Sequence, residues 1–343
     1  MKMPLGRALA LSLLVLGAVL ILSVAIGPVN IPPQIIWSVM ADSAGWATTS
    51  VDEAGMYSTI LLDIRLPHAV LLLLTGAALA GSGASYQGLF RNPLADPYLI
   101  GVASGAGLGA VIAMSIRWPE DLAGLYVIPA AAFVGAALTV MLVYSLARIG
   151  KSVPTTTLIL AGVAISSFAT SLTSFLMLRS NEQLRRATGW LLGGSLMSGW
   201  QPVIALLPYV ILGLAVLLAS AYALNVLQFG EEQASQMGLP AERVKFWLVL
   251  AASLTTASAV AFSGIIGFIG LIVPHLVRLL WGADYRRLLP LSVVSGGTAL
   301  LIADLLARTV LAPQVLPVGV VTALAGAPFF LWVLRRAKNQ GYW

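Results

Sequence analysis

Long apolar runs recur along the whole of this 343-residue chain and leave little room for a separate soluble domain. A transmembrane helix needs roughly 20 apolar residues, so the length accommodates about ten spans with short loops. The runs predict spans near 8–27, 62–87, 98–116, 122–147, 154–178, 202–223, 246–264, 267–281, 290–311 and 316–334. Only 9% of the residues are charged, where a soluble globular chain usually carries about 25%. Water is therefore not the main solvent. The expectation is an all-α polytopic membrane protein with one transmembrane domain over 1–343.

The apolar stretch after Lys2 and Arg7 exceeds the roughly 7–15 residues of a signal-peptide core, and it reads as a retained first span. The net charge of +6 does not point to nucleic acid, because the basic residues sit singly or in pairs between apolar runs. With the N-terminus inside, Lys2, Arg7, Arg91, Arg148, Lys151, Arg243, Lys245, Arg278, Arg286, Arg287, Arg335, Arg336 and Lys338 fall on the inner side. Arg65, Arg117, Arg179, Arg185, Arg186 and Arg308 fall outside, so thirteen of the 19 Lys and Arg favour cytoplasmic termini. The absence of cysteine excludes disulfides, thiol catalysis and thiolate metal sites.

Three irregularities interrupt the spans. The eighth, at about 15 residues, makes roughly 22 Å of helix against a core of roughly 30 Å, and it contains Pro274, His275 and Arg278. Irregular backbone at such depth needs cover from protein or a water-filled cavity. The breaks at 88–101 and 270–290 lie five spans apart, so a repeat of that size would be inverted in the membrane. Glycines such as Gly76, Gly81, Gly83, Gly105 and Gly109 predict close helix packing.

Gly150-Lys151-Ser152 looks like the end of a phosphate-binding loop, but the position five residues before Gly150 is Ser145 and no strand precedes it. Nucleotide hydrolysis by this chain is not expected. The segment 228–242 is more informative. It has acids at its start, helix formers in its middle, then Gly238 and Pro240, the marks of a short helix with a glycine stop. Its spacing resembles the Glu-Ala-Ala…Gly loop with which ABC importer permeases meet their ATPases. Gln233 departs from the pattern, and Leu239-Pro240 arrives early. Coupling is thereby placed on Glu231, Glu232, Ala234, Ser235, Met237, Gly238 and Leu239.

Further stretches carry a wider resemblance. They are Arg65-Leu66-Pro67, Gln87-Gly88-Leu89-Phe90-Arg91-Asn92-Pro93-Leu94-Ala95-Asp96-Pro97, Leu160-Ala161-Gly162-Val163-Ala164 and Gly267-Phe268-Ile269-Gly270-Leu271-Ile272-Val273-Pro274-His275. Near the end stand Ala303-Asp304-Leu305-Leu306-Ala307-Arg308 and Leu316-Pro317-Val318-Gly319-Val320-Val321-Thr322. In this order they resemble the FecCD family, importers of ferric siderophores, haem and cobalamin. The resemblance implies a cobalamin-permease-like (type II ABC importer) bundle, a homodimer with its pathway at the dimer interface, two cytoplasmic ATP-binding cassette subunits that use ATP and Mg, and a periplasmic or lipoprotein substrate-binding protein. It implies Thr155, Thr156, Gln87 and Asn92 as pathway or gate residues, and it implies no cofactor on this chain.

Asp304 and Arg308 stand one helical turn apart and can neutralise each other, which is favoured over a proton relay. His275 has no second ligand at metal spacing and reads as packing; His68 reads as a surface side chain. Arg179, Arg185 and Arg186 break the positive-inside trend. They read either as a docking patch for an acidic binding protein or as an electropositive mouth for an anionic cargo. The resulting expectation is the permease of an ATP-driven importer of a bulky chelate, ferric siderophore or haem, in the bacterial inner membrane with lipid around it. A corrinoid importer and an ion-coupled secondary transporter are the alternatives.

Overall fold

The computed structural model describes residues 3–27, 31–43, 57–116, 118, 122–150, 152–178, 181–195 and 197–338. Its named elements are all helices: α1 (Leu5–Ala25), α2 (Pro33–Ser43), α3 (Leu66–Leu89), α4 (Val102–Met114), α5 (Leu122–Ala147), α6 (Thr155–Met177) and α7 (Asn181–Leu191). There follow α8 (Gln201–Ala219), α9 (Ala221–Leu227), α10 (Glu231–Gln236), α11 (Ala241–Ser263), α12 (Ile269–Trp281), α13 (Tyr285–Thr309) and α14 (Val318–Lys338). Seven helices are long and apolar enough to cross a membrane, and three shorter apolar ones, at Val102–Met114, Ile269–Trp281 and Val318–Val333, occupy the remaining predicted spans. The long segment after α1 holds α2, which the hydropathy pattern does not foretell.

The helix α3 is the axis of the bundle. It is buried along most of its length and packs on α13, α11, α12 and α8. Its contact with α13 is made by Gly76 and Gly296: a Cβ on either would strike the carbonyl of the other. The pairing of α4 with α5 uses the same device, with Gly105 and Gly109 against Gly135. Between membrane helices there is no hydrophobic driving force, so backbone approach of this kind supplies the attraction through dispersion contacts.

The shortness of α12, 13 residues, follows from a non-helical entry over 264–268 with Gly264 at φ 76° and Phe268 at φ 69°. This backbone is covered by protein. The Ile265 amide donates to the Trp190 carbonyl at 3.3 Å, and the Tyr98 hydroxyl donates to the Ile266 carbonyl at 2.9 Å while accepting from its amide at 3.3 Å. The two predicted breaks thus meet, Tyr98 on one and Ile266 beside the other.

At one end of the bundle, arginines finish α1. A helix leaves its last four carbonyls without internal partners. Here the Leu22 carbonyl accepts from the Ile26 amide, Arg308 donates to the Ser23 carbonyl at 3.1 Å, and Arg65 donates to those of Val24 and Ala25 at 3.0 and 2.9 Å. Both arginines are buried, so two of the six charges counted against the topology are helix caps.

Candidate functional site: a hydroxyl wall and an exposed short helix

Of the long spans, α1 and α6 bury the smallest share of their residues, and the open face of α6 carries hydroxyls. Ser167, Thr170, Ser171 and Ser174 are all exposed on it. With 3.6 residues per turn, positions 167, 170, 171 and 174 share one side, and Thr156, three turns earlier, lies on the same line. Each serine of the stripe donates one turn back along the helix: Ser167 to Val163 at 2.9 Å, Ser171 to Ser167 at 2.8 Å and Ser174 to Thr170 at 3.0 Å. Their lone pairs remain free. Beside them lies a cleft of about 570 Å³ whose polar lining is Asp96, Tyr98, Ser166, Ser167, Thr170 and Ser171. Such a surface hydrogen-bonds a passing polar solute weakly and holds no charge on α6 itself.

The four pathway candidates separate. Thr156 is exposed and Thr155 half-buried, both in the first turn of α6 after Pro154. Gln87 is buried and donates to the Leu271 carbonyl at 3.1 Å, clipping α3 to α12. Asn92 accepts from the Leu94 amide at 2.9 Å and shapes the turn after α3. Neither Gln87 nor Asn92 lines the cleft. The hydroxyls at 167, 170, 171 and 174 were not singled out by motif; their signal is paired i, i+4 hydroxyls inside an apolar span.

At the opposite end of the bundle from the α1 caps, α10 stands out from the body. Glu231 and Glu232 occupy its first turn, where the helix dipole favours acids. Gly238, at φ 84°, ends it: the Leu239 amide reaches the Ala234 carbonyl at 3.0 Å and the Gly238 amide the Ser235 carbonyl at 3.0 Å. A left-handed residue closing a helix in this way is a glycine position. Ala234 is fully buried, while Glu232, Ser235, Met237 and Gly238 face outward. Phe229 and Met237, 63% and 59% exposed, add apolar knobs at either end of the helix. Phe229 was outside the residues named from sequence.

The outer-mouth arginines are only partly in view. Arg179 lies outside the described residues, and Arg185 is placed by its backbone on α7. Arg186 is exposed and lines a second cavity of about 400 Å³ together with His68, Asp304 and Arg308. Asp304 pairs with Arg308 at 2.7 Å, as the one-turn spacing predicts. His68 is not a free surface side chain: its Nε2 lies 3.0 Å from Asp304 Oδ1, because the antiparallel packing of α3 on α13 brings them level. His275 packs edge-on against Phe329. Gly150 and its neighbours form a tight reversal, with Ile149 and Ser152 exchanging backbone hydrogen bonds at 2.9 and 3.2 Å. Among the described residues no three His, Cys, Asp or Glu come together as a metal site.

Residues 13–336 match the FecCD transport family. The cobalamin import system permease protein BtuC of Halobacterium salinarum is 48% identical over 276 residues, covering 80% of this chain and 73% of that one. The hemin transport system permease protein HmuU of Yersinia pestis is 39% identical over 341 residues, covering 95% and 97%. A solved structure described as an inward-facing conformation of a putative metal-chelate type ABC transporter superposes with a TM-score of 0.83 at 29% identity, over 96% of this chain and 99% of that one. This chain belongs to the FecCD transport family, as a membrane permease subunit of an ABC importer whose ATP hydrolysis is carried by separate subunits.

Proposed function

We propose that this subunit pairs with a second copy of itself to form the passage for a bulky metal chelate, moved inward by alternating access. The observation that carries the reading is the hydroxyl stripe of α6. Four exposed hydroxyls in a row have no use against lipid, whereas a passage that must release its cargo needs weak polar contacts. The apolar residues beside the stripe, Leu160, Phe168, Leu172 and Phe175, are also exposed and suit a subunit contact flanking a water-filled path. The outward face of α10, with Phe229, Glu232 and Met237, is the surface offered to an ATP-binding cassette subunit, one per permease copy. A periplasmic or lipoprotein binding protein delivers cargo at the end that holds His68 and Arg186. The termini then lie in the cytoplasm of a bacterial inner membrane, in keeping with the charge asymmetry.

Ferric siderophore or haem is the favoured cargo, since Arg186 is exposed and lines the cavity at the delivery end, where it attracts anions, while Arg308 there is neutralised by Asp304. A second reading, a corrinoid cargo, draws on the 48% identity to the archaeal cobalamin permease.

The test is uptake of haemin, ferric citrate and cyanocobalamin by proteoliposomes holding the permease, its ATPase and its binding protein. Replacing Ser167, Thr170 and Ser171 together by Leu should cut uptake at least about tenfold, a loss of roughly 1.4 kcal/mol of favourable passage per decade. Unchanged uptake sinks the passage assignment. Replacing Arg179, Arg185 and Arg186 by Gln should slow an anionic cargo in a salt-dependent manner and leave cyanocobalamin unaffected. Uptake that survives without ATP and collapses with a proton ionophore would instead mark an ion-coupled carrier.

A further inference from the structure

Lys245 belongs neither to the wall of α6 nor to the outward face of α10, yet it is more completely enclosed than Arg65, Asp304 or Arg308, at 1% exposure. A lysine is almost never fully buried unless it is paired. Its ammonium carries three protons and meets three acceptors: Glu231 at 2.8 Å, Glu242 at 3.2 Å and the main-chain carbonyl of Val153 at 2.9 Å. These lie on three separate elements. Glu231 opens α10, Glu242 is in the first turn of α11, and Val153 stands two residues before Thr155, where α6 begins.

The arrangement is lopsided in a telling way. Both carboxylates are 39% exposed and can turn to water, but the ammonium cannot. Any movement that pulled α10 away from the start of α6 would take away the shortest of the three contacts and leave one proton of a buried ammonium without an acceptor, a cost even though Glu242 and Val153 remain. The three elements therefore move together most easily. Meanwhile α10 packs directly on α9 and α11, and Lys245 extends that contact to the residue that leads into the hydroxyl wall.

We infer that Lys245 is a positioning residue that passes displacement of α10 to the first turn of α6, so that motion of the docked ATPase reaches the passage. This rests on the reading of α10 as the docking helix. Glu231 is its exchangeable partner, and the Val153 carbonyl is its fixed grip on α6.

The chain contains no cysteine, so a single Leu160→Cys, exposed on α6, can carry a spin label in the reconstituted permease–ATPase complex. The label–label distance between the two subunits is measured before and after trapping with ATP and vanadate. A nucleotide-dependent change is expected in the otherwise unaltered chain. Lys245→Met and Glu231→Gln are each expected to reduce the responding population about tenfold, within the usual range of coupling between sites, while the ATPase still copurifies. Glu231→Gln leaves Lys245 with Glu242 and Val153, so it decides the matter should Lys245→Met not assemble. A lysine that only stabilised the fold would lower the unfolding temperature and leave the response intact; that result overturns the inference. The docking reading has its own control, a cross-link from Gln236→Cys on α10 to the ATPase. If the cross-link forms and the variants respond as the parent does, only the Lys245 inference fails. If no cross-link forms and the parent label does not respond, the docking reading fails and takes the inference with it.

Discussion

Arg308 donates to both oxygens of Ser23, to the hydroxyl at 2.9 Å and to the carbonyl at 3.1 Å, and through this contact α13 holds the end of α1. The same guanidinium pairs with Asp304, which in turn meets His68 on α3. Three helices are thus tied at one point by polar contacts. Removing Arg308 alone leaves the buried Asp304 carboxylate with only the His68 ring, so Arg308→Gln should destabilise the protein by about 3 kcal/mol, the low end for a broken buried pair. The double replacement Asp304→Asn with Arg308→Gln should recover a good part of that loss. Unfolding in detergent of the two singles and the double measures the coupling, and additive losses would contradict a shared pair.

The approach of α3 to α12 leaves no room for a side chain at Gly83, where a Cβ would run into the backbone of Gly270. Gly83→Ala should therefore cost about 1–3 kcal/mol as an overpacked contact. Gly17 on α1 has nothing within 4 Å of its added Cβ, so Gly17→Ala should leave stability unchanged or raise it by at most about 1 kcal/mol. Thermal unfolding of the two variants side by side separates crowding from helix propensity.

Gly238 holds φ at 84°, a conformation that proline, locked near −65°, cannot adopt. Gly238→Pro also removes the amide that caps α10. Membrane insertion should be intact, because the change lies outside the spans, while ATP hydrolysis stimulated by binding protein should fall to about a tenth. Unaltered stimulated turnover in proteoliposomes would count against a coupling role for α10.

The carboxyl of Asp284, exposed at the start of α13, is held below its usual range first by the side-chain amide of Asn225, and then by the Arg286 amide and the nearby Arg286 and Arg287. It accepts from the Asn225 amide at 2.7 Å and caps α13 by accepting from the Arg286 amide at 3.0 Å. Because its folded pKa is depressed, the stabilisation is complete above the unfolded value of about 3.9 and is lost as pH falls through the folded one. Asp284→Ala should thus cost about 1 kcal/mol near neutral pH, and the difference from the parent should shrink under stronger acid. A pH series of unfolding temperatures checks both the size and the sign.

The spans were legible because each needs its own run of apolar residues, and the weak eighth run correctly marked α12 as short. The end of α10 was equally readable, since a left-handed stop selects glycine locally. What could not be read were relations set by packing between distant segments. His68 and Asp304 are 236 positions apart, and only the antiparallel fit of α3 on α13 makes them neighbours. Arg65, Arg308 and Lys245 count in a charge tally as topology signals; their burial follows from which helix ends happen to be adjacent. The hydroxyl wall was half legible. Its i, i+4 pattern stands in the sequence, but a serine face can turn inward or outward, and the choice depends on which neighbours α6 lacks.

A hydroxyl that bonds to its own helix one turn back is satisfied in hydrocarbon as well as in water, and Ser167, Ser171 and Ser174 are bonded in that manner. Should a newly made subunit meet lipid on this face before it is assembled, these three side chains strand no donor in oil. On this face, then, insertion need not wait for assembly, and recruitment of the ATP-hydrolysing subunits can follow at its own pace.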